Sequence, residues 1–171
     1  MKSSEPAEKD GRNWMANEQK VFPLFVDLTE KKAMVIGGGK IGTRRAKALL
    51  PFVGSLVVEA PAASREILEL AGEGKLIYRE KAYERRDIYD ADLVVAATDD
   101  KKVNEDIYSA CKCLGILVNV ASSQDKCDFH FPGLLEYEGV VLGFNGAGKN
   151  HRKVKEVRMK TEQALKGSRE E

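Results

Sequence analysis

The sequence predicts an α/β protein, a parallel sheet with helices on both faces, followed by a smaller α+β and helical segment. Three observations predict it. Short, almost wholly apolar runs recur along the chain, as in strands covered on both faces. Segments with helical spacing of apolar residues separate these runs, the alternation that builds parallel sheets. After Val120 that alternation stops and gives way to extended segments and one basic helix. A chain of 171 residues fits one domain of ordinary size with an appendage.

The elements follow in order. The first 20 residues (MKSSEPAEKDGRNWMANEQK) are polar and charged and are expected to form a mobile leader, in which Trp14 is the one residue suited to docking. The apolar stretch Val21-Phe22-Pro23-Leu24-Phe25-Val26 carries a proline that excludes it from a central strand. Residues 33–36 (AMVI) form the first buried strand, and three glycines end it. Residues 41–52 place Ile41, Ala48, Leu49 and Phe52 on one helical face. Residues 56–58 are a second strand, and 64–71 a helix with Ile67, Leu68 and Ala71 inward, stopped by Gly72 and Gly74. Residues 76–78 and 92–97 are the third and fourth strands.

Val103, Ile107, Ala110 and Cys111 then mark an amphipathic helix, Gly115 ends it, and residues 116–120 are the fifth strand. A boundary is expected near residue 121, giving a leader (1–20), an alternating α/β domain (21–120) and a final segment (121–171). In that last segment Gly139 sits in a turn between extended stretches. From residue 149 the chain turns helical and basic, with eight Lys and Arg against four Glu over residues 149–171.

The sharpest motif is Gly37-Gly38-Gly39-Lys40-Ile41-Gly42, between a predicted strand and a predicted helix. Gly37, Gly39 and Gly42 fill G-x-G-x-x-G. The first glycine allows the tight turn, the second lets backbone approach a pyrophosphate, and the third lets the helix pack on the strand. The helix N-terminus offers free N–H groups and partial positive charge to the phosphates. Glu59 ends the next strand 20 residues after Gly39. A carboxylate there accepts hydrogen bonds from adenosine ribose hydroxyls and repels a 2′-phosphate, which favours NAD over NADP. Ile41 follows Lys40 where a P-loop needs Ser or Thr, so nucleoside triphosphate hydrolysis is disfavoured. The fold is therefore read as Rossmann-type.

Composition excludes several other classes. A balance of 28 Lys+Arg against 27 Asp+Glu gives no global case for nucleic acid. No apolar run approaches the roughly 18–20 residues of a membrane span, and no membrane partner is expected. Cys111, Cys113 and Cys127 are too few and too oddly spaced for a disulfide scaffold or a zinc site, which points to a reducing cytoplasm. His130 and His151 are the only histidines, and no ligand spacing joins them into a metal site.

At this point the residues resemble a known family. Phe22-Pro23-Leu24-Phe25-Val26-Asp27-Leu28, Val35-Ile36-Gly37-Gly38-Gly39, Ala96-Ala97-Thr98-Asp99-Asp100 with Asn104, and Asn119-Val120 before Phe131-Pro132 look like the dehydrogenase portion of siroheme synthases. The resemblance covers about residues 21–165. It implies NAD⁺-dependent oxidation of precorrin-2, a tetrapyrrole polycarboxylate, to sirohydrochlorin, in a homodimer whose later segment packs between subunits. It also implies a cofactor set of Gly37, Gly39, Lys40, Ile41 and Gly42 at the pyrophosphate, Glu59, Ala60, Pro61 and Ala62 at the adenosine, and Thr98, Asn119 and Val120 toward the nicotinamide. The basic residues Arg152, Lys153, Lys155, Arg158 and Lys160 are suited to attract a polycarboxylate.

Two departures stand out. Relatives that also insert iron carry a catalytic aspartate two positions after Asn-Val, where this chain has Ser122. Serine is neither a carboxylate base nor a hard anionic ligand for iron, whereas hydride transfer leans on the cofactor and its positioning. Asp125 and Asp128 lie in the same loop, so Ser122, Asp125 and Asp128 are the candidate catalytic residues. Second, Asn145-Gly146-Ala147-Gly148-Lys149-Asn150-His151 keeps glycines but lacks the hydroxyls and proline usual there. The rival readings are a bifunctional dehydrogenase and ferrochelatase, and a non-catalytic NAD-sensing module.

Overall fold

The structure is a computed structural model in which residues 21–146 and 150–167 are described. The expected leader, Trp14 included, and Ala147, Gly148 and Lys149 of the glycine-containing loop lie outside the described residues.

The chain divides into two compact units, the larger being Phe25–Phe131. Its sheet has five parallel strands in the order β3-β2-β1-β4-β5. These are β1 (Lys32–Gly38), β2 (Ser55–Ala63), β3 (Ile77–Arg79), β4 (Leu93–Ala96) and β5 (Leu117–Val120). Three helices cover it: α1 (Lys40–Leu49), α2 (Arg65–Gly72) and α3 (Lys101–Leu114). Alternate residues of each strand point to opposite faces, so the continuous apolar runs build two cores. Met34, Ile36, Val57, Val94 and Val118 meet Ile107, Ala110 and Cys111 of α3 on one face. Ala33, Val35, Val58 and Val95 meet Ala46 and Leu49 of α1 and Ile67 of α2 on the other. Helices therefore lie on both faces, as expected.

Local chemistry fixes the boundaries. Ser64 caps α2 by accepting the Ile67 N–H (3.3 Å). Asp100 caps α3 by accepting the N–H groups of Lys102 (2.7 Å) and Val103 (3.3 Å). Gly115 ends α3 in the left-handed conformation at φ +71°, which suits glycine. Asp92 accepts the Lys32 N–H (2.9 Å) and pairs with the Lys31 ammonium (2.9 Å), tying the starts of β1 and β4.

Three differences from the sequence reading have physical reasons. β2 runs to Ala63 and includes Pro61, because a register shift between Ile36 and Gly38 bends the last residues of β1 toward Ala63. A 3-10 turn at Arg85–Ile88, held by reciprocal bonds between Glu84 and Asp87, drops Ile88 into the α3-side core. The unit also extends to Phe131, past the boundary expected near residue 121. Residues after β5 return along it: the Asp128 N–H donates to Val118 O (2.8 Å) and the Asp128 carboxylate accepts the Val118 N–H (3.0 Å). Phe129 and Phe131 then pack against the α1-side core.

The second unit holds Pro132 onward together with residues 21–24. β6 (Gly133–Tyr137) and β7 (Val140–Phe144) form an antiparallel hairpin. Its turn residues Glu138 and Gly139 both have positive φ (51° and 79°), as tight hairpin turns require. Tyr137 donates its hydroxyl to Leu165 O (2.9 Å) of α4 (His151–Gly167). That helix carries the ion pairs Arg158–Glu162, Lys160–Glu156 and Lys166–Glu162 at i,i+4 spacing.

Candidate functional site

The site is built where β1 turns into α1, next to the point where strand order reverses between β1 and β4. Open α/β sheets bind ligands at that point. Each glycine of the turn has a separate physical reason. Gly37 has φ +119°, and a Cβ on it would stand 2.4 Å from Ala97 O. A Cβ on Gly42 would stand 1.9 Å from Gly37 O, so only glycine lets α1 sit this close to β1. Gly39 is different: a Cβ there would meet nothing within 4 Å, at an ordinary φ of −77°. Packing does not demand glycine at that position. Space above the backbone does, if an anion is to approach it, and no side chain caps the first turn of α1. The vacant Gly39 face and the uncapped helix end fit a pyrophosphate.

Gly38, a variable position of the motif, is as constrained as its neighbours, since its Cβ would stand 2.4 Å from Ala62 O. The small residues Ala62 and Ala63 are its sequence trace. Ser64 N–H donates to Gly38 O (2.9 Å), and the hydroxyls of Thr43 and Ser64 lie 2.8 Å apart, so Thr43, Ser64 and Gly38 lock the glycine turn to the end of β2. Sequence reasoning singled out none of the three for this role. Lys40 and Ile41 are exposed at the mouth of the turn, as are Pro61 and Ala62, while Ala60 is buried.

Glu59 is fully enclosed rather than open at a strand end. It pairs in register with Ile36 and Arg79, four residues before β2 ends. Its carboxyl is directed toward Asp87 and lies 3.8 Å from the Arg79 guanidinium. Burial, then the neighbouring Asp87, raises the Glu59 carboxyl to about 7. Neither Glu59 oxygen has a donor among the described residues, so the carboxyl is best satisfied as an acid whose proton is offered to Asp87. Asp87 is held below its usual range: the Lys81 ammonium (2.9 Å) and the Glu84 N–H (2.7 Å) outweigh the opposing effect of burial.

At the ends of β4 and β5 the polar groups are tightly held. Asn104, 2% exposed on α3, accepts from the Thr98 N–H (3.2 Å) and hydroxyl (2.8 Å) and donates to Thr98 O (2.9 Å). Asn119, 4% exposed, donates to Phe129 O (2.8 Å), but its Oδ1 is buried without a partner. Val120 beside it is buried. Ser122 and Asp125 are exposed in the loop after β5. Asp128 is committed to the Val118 N–H and to the Lys112 ammonium (2.6 Å). His130 is half-buried in the same loop, and His151 opens α4 in the second unit. Among the described residues no group of three or more His, Cys, Asp or Glu could hold a metal ion.

A dinucleotide-binding α/β domain is the class that this glycine turn and strand order define. A family model described as "Putative NAD(P)-binding" matches residues 24–133, almost the span of the larger unit, and the chain belongs to that family. A relative from Ruminiclostridium josui, described as "Probable multifunctional siroheme biosynthesis protein HemA", is 42% identical over 137 residues, covering 80% of this chain and 27% of the relative. The siroheme synthase of Ruthia magnifica is 33% identical over 144 residues, covering 84% of this chain and 30% of its own length. The chain thus spans less than a third of the length of these curated relatives. A solved structure described as "SirC, precorrin-2 dehydrogenase" superposes with a TM-score of 0.71 at 27% identity, over 84% of this chain and 71% of that one.

Proposed function

We propose that this chain oxidises precorrin-2 to sirohydrochlorin with NAD⁺, within siroheme biosynthesis. The observation that carries the proposal is the glycine turn with its vacant Gly39 face, in a fold similar to a precorrin-2 dehydrogenase. Bound there, NAD⁺ supplies the two-electron acceptor: precorrin-2 gives up a hydride to it and a proton to the surroundings. Gly37, Gly39, Lys40, Ile41 and Gly42 would hold the pyrophosphate by backbone N–H groups, with Ala60, Pro61 and Ala62 along the adenosine. Thr98, fixed by Asn104, and Val120 would border the nicotinamide, and the free Oδ1 of Asn119 suits a carboxamide N–H donor. Glu59 would read the ribose hydroxyls only after its carboxyl leaves Asp87 and Arg79.

Ser122 and Asp125 are the exposed polar groups of the loop nearest the end of β5, and Asp125 is the proposed proton acceptor. Asp128 would have to leave Lys112 and Val118 to serve. The proposal includes a homodimer assembled through residues 121–171 and a cytoplasmic location, the latter supported by three free thiols at Cys111, Cys113 and Cys127. The test is anaerobic incubation with precorrin-2 and NAD⁺, following NADH formation and the sirohydrochlorin spectrum. Enzyme-dependent turnover supports the proposal. Tight NADH binding without turnover points to a sensing module. Adding Fe²⁺ after turnover tests iron insertion in the same cuvette, and none is expected with Ser122 at the aspartate position.

A further inference from the structure

Arg45 of α1 is the one basic side chain of this region whose surroundings are hard to explain by folding alone. Its guanidinium lies over the Phe131 ring, 4.0 Å from the centroid. Its Nε is buried and has no hydrogen-bond partner, and among the described residues no carboxylate pairs with it. The desolvation that comes with burial, and then the nearby Arg44, disfavour its charge, so the fold holds this cation at a cost. Several other arginines find acids: Arg65 pairs with Glu69, Arg85 with Asp106, and Arg158 with Glu162.

The position of Arg45 explains what such a cation would be kept for. Phe131 stacks on Phe129, with ring centroids 5.6 Å apart, and the Phe129 carbonyl accepts the Asn119 amide. An unbroken line of contacts therefore runs from Arg45 through both rings to the end of β5, where another unpartnered buried polar atom, Asn119 Oδ1, is found. Cys127 of the same loop is close enough to feel the charge of Arg45. This loop carries Ser122 and Asp125, and it borders the crevice where a ligand meets the sheet.

We propose that Arg45, oriented by its stack on Phe131, is the docking point for a carboxylate of the tetrapyrrole substrate. The inference rests on the function proposed above and names a residue that recognises the substrate. Folding has already removed part of the water around the guanidinium and fixed its plane, so an incoming carboxylate meets a preorganised donor. Arginine suits this task better than lysine because its planar fork both stacks on a ring and binds a carboxylate through two N–H groups. Arg45 is not among the residues assigned to the cofactor and its guanidinium lies on Phe131, so its loss should spare cofactor binding.

The experiment compares wild type, Arg45→Gln and Arg45→Lys in three measurements: NADH affinity, affinity for sirohydrochlorin followed by its absorbance, and the KM and kcat for precorrin-2. Arg45→Gln is expected to raise KM and weaken sirohydrochlorin binding at least tenfold, with kcat and NADH affinity within about threefold of wild type. Arg45→Lys should recover part of the loss. The wild-type advantage over Arg45→Gln should shrink as salt rises. Unchanged KM and sirohydrochlorin affinity in both variants, beside an active wild type, would overturn the role of Arg45 and leave the proposed function standing. A wild type that neither turns over precorrin-2 nor binds sirohydrochlorin would overturn both. Should Arg45→Gln fail to fold, Arg45→Lys decides: full wild-type KM at every salt concentration refutes a bidentate carboxylate contact.

Discussion

Glu59 offers the most quantitative prediction. Its carboxyl is fully buried beside Asp87 and raised from an ordinary 4.5 to about 7, chiefly by burial and then by Asp87. The folded state thus binds this proton more tightly than the unfolded chain does. The stabilisation is fully present below about pH 4.5 and is lost as pH rises through about 7. Holding the carboxyl at about 7 rather than 4.5 makes ionised Glu59 cost on the order of 3 kcal/mol above pH 8. Asp87 is held below its usual range and stays ionised across the whole interval.

Glu59→Gln keeps the shape of the side chain, can donate to Asp87 as the acid does, and cannot ionise. Urea or thermal unfolding of both proteins at pH 5 and pH 8 is the assay. The variant should match wild type within about 1 kcal/mol at pH 5 and exceed it at pH 8 by up to about 3 kcal/mol, or about 6–10 °C in Tm for a chain of this size. Subtracting the two profiles cancels the titrating groups that lie away from Glu59. Parallel profiles, with no gain for glutamine at pH 8, would refute the enclosed, proton-holding carboxyl.

The remaining predictions separate packing from binding. Gly39→Asp should fold with a Tm close to wild type, because its Cβ has open space and φ is −77°, yet lose NADH binding by titration calorimetry. Unchanged NADH affinity would remove the phosphate assignment. Gly42→Ala should do the reverse damage: its Cβ would stand 1.9 Å from Gly37 O, so a loss of about 3 kcal/mol or more is expected by denaturant unfolding. Asn104→Ala breaks three hydrogen bonds to Thr98, two of them to backbone groups. It should cost about 2–3 kcal/mol in the same assay and weaken NADH binding through a loosened Thr98 loop.

The parts of the fold legible in the sequence were those written in local periodicity. Residues 33–36, 56–58 and 92–97 announced buried strands because both of their faces are covered, which leaves no polar alternation. The glycine turn was legible because close approach admits only glycine at Gly37 and Gly42. What escaped depends on contacts between distant residues. The return of residues 121–131 along β5 is made by one aspartate bonding to the backbone of Val118, and a single Asp in a polar loop carries no periodic signal. The 3-10 turn at Arg85–Ile88 depends on a reciprocal bond between Glu84 and Asp87 in a stretch that reads only as charged. Glu59 was marked by its position 20 residues after Gly39, but its enclosure follows from Asp87 and Arg79, far along the chain. Arg45 was not singled out in the sequence, because nothing local announces a ring 86 residues later, at Phe131.

The pairing of residues 127–131 with β5 has a consequence for how copies of this chain can associate. A parallel sheet ends in two rows of unsatisfied N–H and C=O groups, each a template for a strand from another molecule. At one margin Asp128 spends its own backbone and carboxylate on Val118, so the template is already occupied where a foreign strand would begin. At the other margin stands β3, only three residues long and ending in Arg79, too short and too charged to seed a growing sheet. Both margins of the sheet are thereby blunted against the addition of a strand from another copy.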